Sequence, residues 1–265
     1  MGAAFAAPPC FLSLFQATQA HYNTPNQGFR AVRMPTLPDG IIANREKILM
    51  FGLDPATLIA RIIVLLVAFT IHEFAHAWTA TRFGDDTPRL NGRLTLNPIA
   101  HLDPMGSLLL LVAGFGWAKP VPVNPYALQR HSSSALMWVS LAGPFSNFLM
   151  AILAAVPFRL GLASVAAGFA ASTSFLPSVS KILVEFVTIN IVLMLFNLIP
   201  LAPLDGEKIL DSLLPPSMQS TFESIRPYGP MILIVVAVVL PYFGIDLIGA
   251  ILRPPLMLMM NFLAG

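Results

Sequence analysis

The sequence predicts an all-α polytopic membrane protein with about four to six transmembrane helices and short re-entrant or extended, β-like segments between them. The chain has 265 residues, of which 56% are hydrophobic and only 11% are charged. Soluble domains carry about a quarter charged residues, so this chain has too little polar surface for a water-soluble globule. Several apolar stretches also have about the 20 residues that cross a bilayer.

Charge and cysteine content exclude several kinds of partner and site. The formal net charge is only +2, and no basic tract suits nucleic acid, so no nucleic-acid partner is expected. Cys10 is the single cysteine in the sequence. It can form neither an intrachain disulfide nor a cysteine-based zinc cage. Any metal site must therefore use nitrogen and oxygen ligands.

Residues 1–49 differ from the rest of the chain. They show no sustained hydrophobic period, and their apolar opening lacks the basic start of a secretory signal, since the first basic residue is Arg30. We predict a loosely ordered extension over 1–49, with Met50 as a possible biological start, and one membrane domain over 50–265. The extension contains five prolines: Pro8, Pro9, Pro25, Pro35 and Pro38.

The first predicted span covers 57–79. Its 23 residues, at a rise of 1.5 Å each, give a helix of about 34 Å, enough for a hydrocarbon core of about 30 Å. Arg61 lies near one end, where its long side chain is expected to snorkel to the interface.

Three further spans are predicted at 135–158, 182–201 and 228–252, the last interrupted by Pro241. Residues 160–180 are also uncharged, but they are rich in Ala, Ser and Gly. This stretch is compatible with either a weak span or an external loop.

Three shorter stretches predict irregular backbone near the membrane. Residues 105–118 are apolar but too short to cross, which favours a re-entrant or interfacial segment. Alternating Pro and Val within 114–124 favour extended backbone, and the alternation in 92–98 predicts a short strand. Such backbone is tolerated at membrane depth only inside protein or beside water, so a cavity is expected.

The motif HEFAH, at 72–76, places two imidazoles and a carboxylate in the first span. His72 and His76 are four residues apart, so on a helix they lie on one face and can reach one metal ion. Glu73 is placed to act as a general base. The alternative is a pair of core histidines with a paired glutamate. Ionisable residues are rare within membrane spans, which favours the metal-site interpretation.

A catalytic zinc site usually takes three protein ligands, and the motif supplies two. Glu185 is a candidate, but it follows Lys181 by four residues and is expected to pair with it. Asp246 lies in an apolar stretch with no obvious partner. Asp205 is the preferred third ligand, because it follows an apolar span that the prolines of NLIPLAPLDG, at 197–206, interrupt.

Together, HEFAH and the distant NLIPLAPLDG resemble the site-2 proteases, which are intramembrane zinc metalloproteases. The motifs GRLTLNP, HLDPMG, GFGWAKPVPVN and AGPFSN are similar to those of bacterial members, in the same order. The resemblance covers roughly 51–226 and indicates a compact type, because no PDZ or CBS module is evident.

This resemblance implies a role for each matching residue. Zn²⁺ is the expected cofactor, held by His72, His76 and Asp205, with Glu73 as catalytic base. Asn197 matches the asparagine that steadies the substrate carbonyl or oxyanion. The re-entrant loop of the family corresponds to Gly114, Phe115 and Gly116, which are expected to bind substrate.

The implied function is hydrolysis of peptide bonds within or near transmembrane segments of membrane proteins, as in regulated intramembrane proteolysis. The partners are then a transmembrane protein substrate and the lipid bilayer. Two other classes stay open. A zinc carrier or sensor is disfavoured because it has no need of Glu73 beside a ligand. A structural membrane protein would use its polar residues only to join helices.

Four other residues receive structural interpretations. His101 is taken at least as readily for a hydrogen-bonded structural histidine as for a residue that shapes a cavity. Asn147 is interpreted as an interhelical hydrogen-bond donor, while Ala142 and Gly143 are expected to permit close helix packing.

Flanking charges predict the orientation of the first span. Arg82, Arg89 and Arg93 follow it, against Arg45 and Lys47 before it. The positive-inside bias places the motif-bearing end at the cytoplasmic face, in the plasma membrane. Arg159 and Lys181 would then face outside, against that bias; these seven residues are the charges compared here.

Overall fold

A computed structural model describes Thr18 and residues 54–106, 117–170, 172 and 174–265 of the chain. The extension predicted over 1–49 and the loop residues Gly114, Phe115 and Gly116 lie outside these ranges, so the predictions for them stay predictions. Within the described residues the fold is all-α, as predicted, with five helices that are long and apolar enough to cross a membrane.

The elements follow one another as helices joined by short loops. They are α1 (Pro55–Arg82), α2 (Thr87–Leu90), α3 (Pro98–His101), α4 (Pro125–His131), α5 (Ala135–Arg159), α6 (Val165–Phe169), α7 (Val179–Asn197), α8 (Asp205–Leu213), α9 (Pro216–Ile225), α10 (Gly229–Ile234), α11 (Leu240–Tyr242) and α12 (Leu247–Ala264). A 3-10 turn (Arg226–Tyr228) and a π-helical segment (Val235–Val239) join α9, α10 and α11 into one rod, Pro216–Tyr242.

Helix α1 has clear signals at both ends. The Asp54 side chain accepts a hydrogen bond from the Thr57 backbone N–H at 2.9 Å, and Pro55 occupies the first helical position. The helix finishes at Arg82, two residues before Gly84, whose φ of 79° suits the turn that follows. Its 28 residues give about 42 Å, so α1 extends beyond the hydrocarbon core.

Helices α1 and α5 pack through matching stripes that repeat every four residues. Most stripe residues are small, which lets the two backbones approach closely. The buried stripe of α1 consists of Ala56, Ala60, Val64, Ala68, His72, His76 and Ala80. The buried stripe of α5 consists of Ala135, Val139, Gly143, Asn147, Ala151 and Ala155. The two histidines of the motif therefore stand at positions of the α1 stripe that otherwise hold mostly alanine.

Helix α7 is the most buried of the long helices and packs against both α1 and α5. Its apolar side chains join those of α5, the rod and α12 in the largest buried cluster. The outward faces are apolar and exposed, as expected for side chains that contact lipid rather than water. On α1 and α5 these faces carry Ile62, Ile63, Val67, Phe145, Leu149 and Leu153.

The direction of each helix follows from its contacts. Helix α5 runs antiparallel to α1, so it begins at the end of the bundle where α1 finishes (the Arg82 end) and finishes at the opposite end (the Arg159 end). The Arg159 guanidinium donates to the backbone carbonyls of Asn261, Phe262 and Leu263, at 3.0 Å for Leu263. Helix α12 therefore finishes beside α5 and runs parallel to it.

The predicted fourth span, 228–252, is wrong. The chain turns at Gly244, with φ of 82°, and Asp246 caps the next helix by accepting from the Gly249 N–H at 2.8 Å. The rod and α12 are thus separate helices. Because Gly229 lies against Ala202 at the Arg82 end, the rod joins two points at that end. Residues 160–180 contain only the short helix α6 among their described positions, which favours the loop interpretation.

The charges in the spans also differ from prediction. Arg61 does not snorkel: its Nε donates to the Glu185 carboxylate at 3.0 Å, and both side chains are largely buried. Lys181 does not hold Glu185 but donates to the Thr57 hydroxyl at 2.9 Å and lies 3.8 Å from Asp54. A buried charge needs a close partner, and the antiparallel pairing of spans supplies one that helix periodicity cannot predict.

No strand forms over 92–98, contrary to prediction. The Thr95 carbonyl turns inward and accepts from His101 Nε2 at 2.8 Å, so it is not available to a sheet partner. The described part of the predicted extended segment, 117–124, is extended and makes an isolated bridge between Ala118 and Leu102. We call residues 117–124 the strap.

Buried polar groups hold the strap at both ends. The Lys119 N–H donates to the His101 carbonyl at 2.8 Å, and Arg93 reaches the Lys119 carbonyl at 3.3 Å. At the other end, the Asn124 N–H donates to the buried Asp85 carboxylate at 2.7 Å. His101 thus supports the strap, which bears out its structural interpretation.

Candidate metal centre

His72 and His76 lie side by side on α1 and face the stripe of α5. Their Nε2 atoms are 3.1 Å apart, and both side chains are buried. His72 is about 26 Å from the start of α1 and about 15 Å from its end, so the pair lies nearer the Arg82 end. This is the geometry that the i, i+4 spacing predicts.

The other ring nitrogens fix which atoms face inward. His76 Nδ1 donates to the Val139 backbone carbonyl at 2.7 Å, and His72 Nδ1 lies 3.3 Å from the Asn147 side-chain oxygen. A carbonyl oxygen can only accept, so each Nδ1 carries the proton when its ring is neutral. Each Nε2 then presents a lone pair, which is the form that binds a metal.

Gly143 makes room for the two imidazoles. A Cβ atom at this position would lie 2.3 Å from His76 Nε2 and 2.7 Å from His72 Cε1, well inside van der Waals contact. Val139, Gly143 and Asn147 are successive positions of the α5 stripe. We call these three residues the cradle: one accepts from His76, one leaves space, and one accepts from His72.

Asp205 reaches the histidines from the loop after α7. It is the first residue of α8, and Gly206 next to it lies directly against the Leu198 and Ile199 carbonyls at the end of α7. Any side chain at 206 would push the loop away from that helix end. The buried Glu207 then pairs with Arg226 of the rod at 2.5 Å, which fixes the start of α8.

The three side chains form a compact set of ligand atoms. Asp205 Oδ2 lies 3.2 Å from Nε2 of His72 and 3.2 Å from Nε2 of His76. Zinc binds such atoms at about 2.0–2.2 Å, which in a tetrahedron separates the ligands by roughly 3.3–3.6 Å. The observed triangle fits a zinc ion with a fourth position left open.

Polar satisfaction supports the same conclusion. Asp205 Oδ2 is buried, yet it makes no hydrogen bond with any of the described residues. Burial raises the pKa of the Asp205 carboxyl, but the two imidazoles that face it, His76 foremost, lower it, and the pKa lies well below its usual range. A carboxylate and two lone pairs at this separation repel one another unless a cation lies between them.

Glu73 stands beside this set without joining it. Its side chain is 9% exposed, and its Oε2 accepts a hydrogen bond from the Val121 N–H of the strap at 3.2 Å. The geometry leaves the carboxylate next to the candidate ligands but held from the other side. It is thus placed to exchange a proton with a molecule bound at the centre.

Asn197 is not brought into this set of atoms. It is the last residue of α7 and is half-buried, and its Nδ2 donates to the Leu193 carbonyl of its own helix at 2.9 Å. Two rejected ligand candidates have other partners, Glu185 with Arg61 and Asp246 with Arg253 at 2.5 Å. Asp246 therefore has a structural explanation that the sequence interpretation lacked.

Sequence reasoning missed the cradle. Asn147 was interpreted only as a donor between helices, whereas its oxygen accepts from His72, and Gly143 was assigned to helix packing rather than to imidazole space. A signal existed: Val139, Gly143 and Asn147 share the four-residue period of their stripe. It becomes informative only once that stripe is known to face His72 and His76.

Comparison with known proteins decides the family. The sequence profile of peptidase family M50 matches residues 60–240. The chain belongs to peptidase family M50. This range contains α1, both candidate histidines, Glu73, the cradle and Asp205. As a member of this family the chain is a zinc metalloprotease embedded in the membrane.

Individual M50 relatives agree. The chain is 44% identical over 177 residues to a Bacillus subtilis protein named "Putative zinc metalloprotease YwhC", which covers 67% of this chain and 79% of that protein. It is 31% identical over 180 residues to a Mycolicibacterium smegmatis protein whose name differs only in ending "Rip2", which covers 65% of this chain and 64% of the relative. No solved structure matches the chain.

Proposed function

We propose that this M50 protease hydrolyses peptide bonds within or near transmembrane segments of membrane proteins, in the manner of regulated intramembrane proteolysis. The observation that carries the proposal is the position of the candidate centre. His72, His76 and Glu73 lie well inside a span, about 15 Å or more from the end of α1 for His72. A soluble peptide has little access to that depth, whereas a membrane-embedded segment is already there.

The proposed roles follow from the geometry. His72, His76 and Asp205 are the zinc ligands, because their three ligand atoms face one another at 3.1–3.2 Å. When bound, zinc supplies Lewis acidity, which polarises the scissile carbonyl and lowers the pKa of water to about 7.

Glu73 is the proposed general base. Its carboxylate accepts a proton from the attacking water and then delivers that proton to the leaving amine, so one group serves both halves of the reaction. The Val121 N–H occupies one of its oxygens and leaves the other free for this exchange. The fixed carboxylate needs no reorganisation before the proton moves.

Asn197 is proposed to steady the substrate carbonyl or the oxyanion that develops from it. The support is its position, eight residues before Asp205 on the same α7–α8 connection, and its half-buried amide. The role requires the amide N–H now bonded to Leu193 to turn toward the centre. A single hydrogen bond to developing charge of this kind contributes about 3–4 kcal/mol in other enzymes.

The substrate is proposed to bind as an extended strand beside the strap and its preceding loop, Gly114, Phe115 and Gly116. A transmembrane helix hides its peptide bonds, so it must unwind locally before cleavage. In the strap, Pro120 and Pro122 have no N–H, so they offer only carbonyl acceptors. A substrate strand would then bind mainly by donating its own N–H groups.

We further propose a plasma-membrane location with the centre nearer the cytoplasmic face. The support is the positive charge at the Arg82 end, although Arg159 and Lys181 at the opposite end weaken the bias. The division into an extension over 1–49 and a protease domain over 50–265 is also a proposal. A chain that starts at Met50 should insert, bind zinc and cleave, and inactivity of that chain would contradict the division.

The alternative function is that of a zinc carrier or sensor without proteolysis. Glu73 argues against it, because a carboxylate beside the ligands and held by the Val121 N–H has no purpose in a carrier. The test compares membrane proteomes of cells that carry either the native protein or Glu73→Gln. Proteolysis predicts that at least one single-span protein accumulates uncut with the variant. Identical proteomes, with zinc transport altered instead, would favour the carrier.

A further inference from the structure

Asn147 is the one fully buried polar residue on the α5 stripe that faces the histidines across α1. Its neighbours along that stripe are Gly143 and Ala151, so a small apolar residue fits the packing here. Burying an amide in such a place costs free energy unless its polar atoms are bonded. Helix packing alone does not account for an asparagine at 147.

The hydrogen bonds of Asn147 point to a specific task. Its Oδ1 lies 3.3 Å from His72 Nδ1, while its Nδ2 makes no hydrogen bond with any of the described residues. An asparagine that served to join helices would be expected to use its donor group as well. Here only the acceptor is used, and it is used on a candidate zinc ligand.

We propose that Asn147 is a positioning residue that sets the tautomer and orientation of His72 through the Nδ1–H···Oδ1 hydrogen bond. With the proton held on Nδ1, the Nε2 lone pair faces His76 and Asp205. This inference rests on the proposed ligand role of His72. His76 has its equivalent in the Val139 carbonyl, which no substitution of a side chain can remove.

The asymmetry gives the proposal its predictive content. A backbone acceptor orients His76 whatever residue stands at 139, whereas the orientation of His72 depends on the side chain at 147. Loss of such an acceptor behind a ligating histidine typically lowers metal affinity by roughly tenfold to hundredfold. The effect should appear in binding itself and not only in turnover.

The experiment measures zinc affinity of the purified full chain by competition with a chromogenic chelator. Asn147→Ala removes the acceptor and places at 147 the residue type that the stripe already uses at three positions. Asn147→Asp restores an acceptor oxygen of the same reach. The matched control is Asn190→Ala, since Asn190 is also fully buried in a span but bonds only to the Phe186 carbonyl of its own helix, at 2.8 Å.

The proposal expects Asn147→Ala to bind zinc about tenfold or more weakly, with affinity largely recovered in Asn147→Asp and kept in Asn190→Ala. A loss below about threefold in Asn147→Ala, an equal loss in Asn190→Ala, or no recovery with Asp would each overturn it.

Water entering the space left by alanine could satisfy His72, so Asn147→Leu fills that space in a parallel measurement and should lose at least as much affinity. Unchanged thermal unfolding of the metal-free variants excludes a general folding defect. If both the Ala and Leu variants fail to fold, the ring-nitrogen NMR signals of His72 decide between Asn147→Asp and the native chain: the proposal requires the proton on Nδ1 in both, and a proton on Nε2 in either overturns it. Loss of zinc from the native chain on His72→Ala would remain expected, so failure of the Asn147 proposal is distinguishable from failure of the metal site.

Discussion

The Glu73 carboxylate accepts a hydrogen bond from the Val121 backbone N–H at 3.2 Å, which links the proposed base on α1 to the strap 48 residues further along the chain. The strap is in turn held by Asp85 at one end and by the His101 carbonyl at the other. The position of the base therefore depends on a segment that carries none of the candidate ligands.

This relationship predicts the effect of removing the donor. Val121→Pro lacks the N–H and should lower the cleavage rate by about tenfold or more while zinc remains bound, because a misplaced base loses much of a typical 10²–10⁴-fold contribution. Val121→Ala keeps the N–H and is the matched control. Rates measured on a single-span substrate in detergent check the prediction. Equal rates for the Pro and Ala variants would show that the hydrogen bond does not position the base.

Gly143 gives a second prediction. Gly143→Ala places a Cβ about 2.3 Å from His76 Nε2, so the imidazole must move or the helices must separate. We expect zinc affinity to fall strongly while helical content, measured by circular dichroism, stays near the native value. A variant that binds zinc as tightly as the native chain would show that the cradle yields without disturbing the ligands.

Much of the centre could be predicted from sequence because its determinants are local. The spacing of His72 and His76 fixes them on one face of α1, and the prolines before Asp205 mark a broken helix end. Partners across helices could not be predicted, because register between spans is not encoded in any single span. Glu185 is the example: its neighbour Lys181 suggested one ion pair, and packing of α7 on α1 produced another, with Arg61.

The rod and α12 show a second limit. Residues 228–252 have one continuous apolar character, so hydropathy merges two helices into a single predicted span. The boundary depends on Gly244 and on the Asp246 cap, both of which are weak signals inside an apolar stretch. Asp246 was unexplained by sequence because its partner Arg253 lies one helix further on.

Asp205 can be tested against the other buried acid of the spans. The same carboxylate-to-amide change in Asp205→Asn and Glu185→Gln should give opposite results. Asp205→Asn replaces an anionic ligand with a neutral one and should weaken zinc binding by at least about tenfold, whereas Glu185→Gln can still accept from Arg61 and should keep it. Equal zinc retention in the two variants would remove Asp205 from the ligand set.

The helix directions predict which positions share a membrane face. Single cysteines at Asp86 and Ser217, in a chain with Cys10→Ser, should react with an impermeant thiol reagent only after the cytoplasmic face is opened. Cysteines at Leu162 and Gly265 should react in intact cells, since α12 finishes beside Arg159. Labelling of Gly265 together with Asp86 would contradict the parallel arrangement of α5 and α12. Labelling of Asp86 from outside would invert the proposed orientation.

The central claim is that Glu73 is a base and not a ligand, and one paired measurement on purified Glu73→Gln tests it most directly. The amide keeps the size of the side chain and can still accept from the Val121 N–H, but it cannot take a proton from water. Zinc content should stay at the level of the native chain, while cleavage of a single-span substrate should fall by about 10²-fold or more. Zinc content and cleavage that fall together, or cleavage that continues at the native rate, would contradict the account.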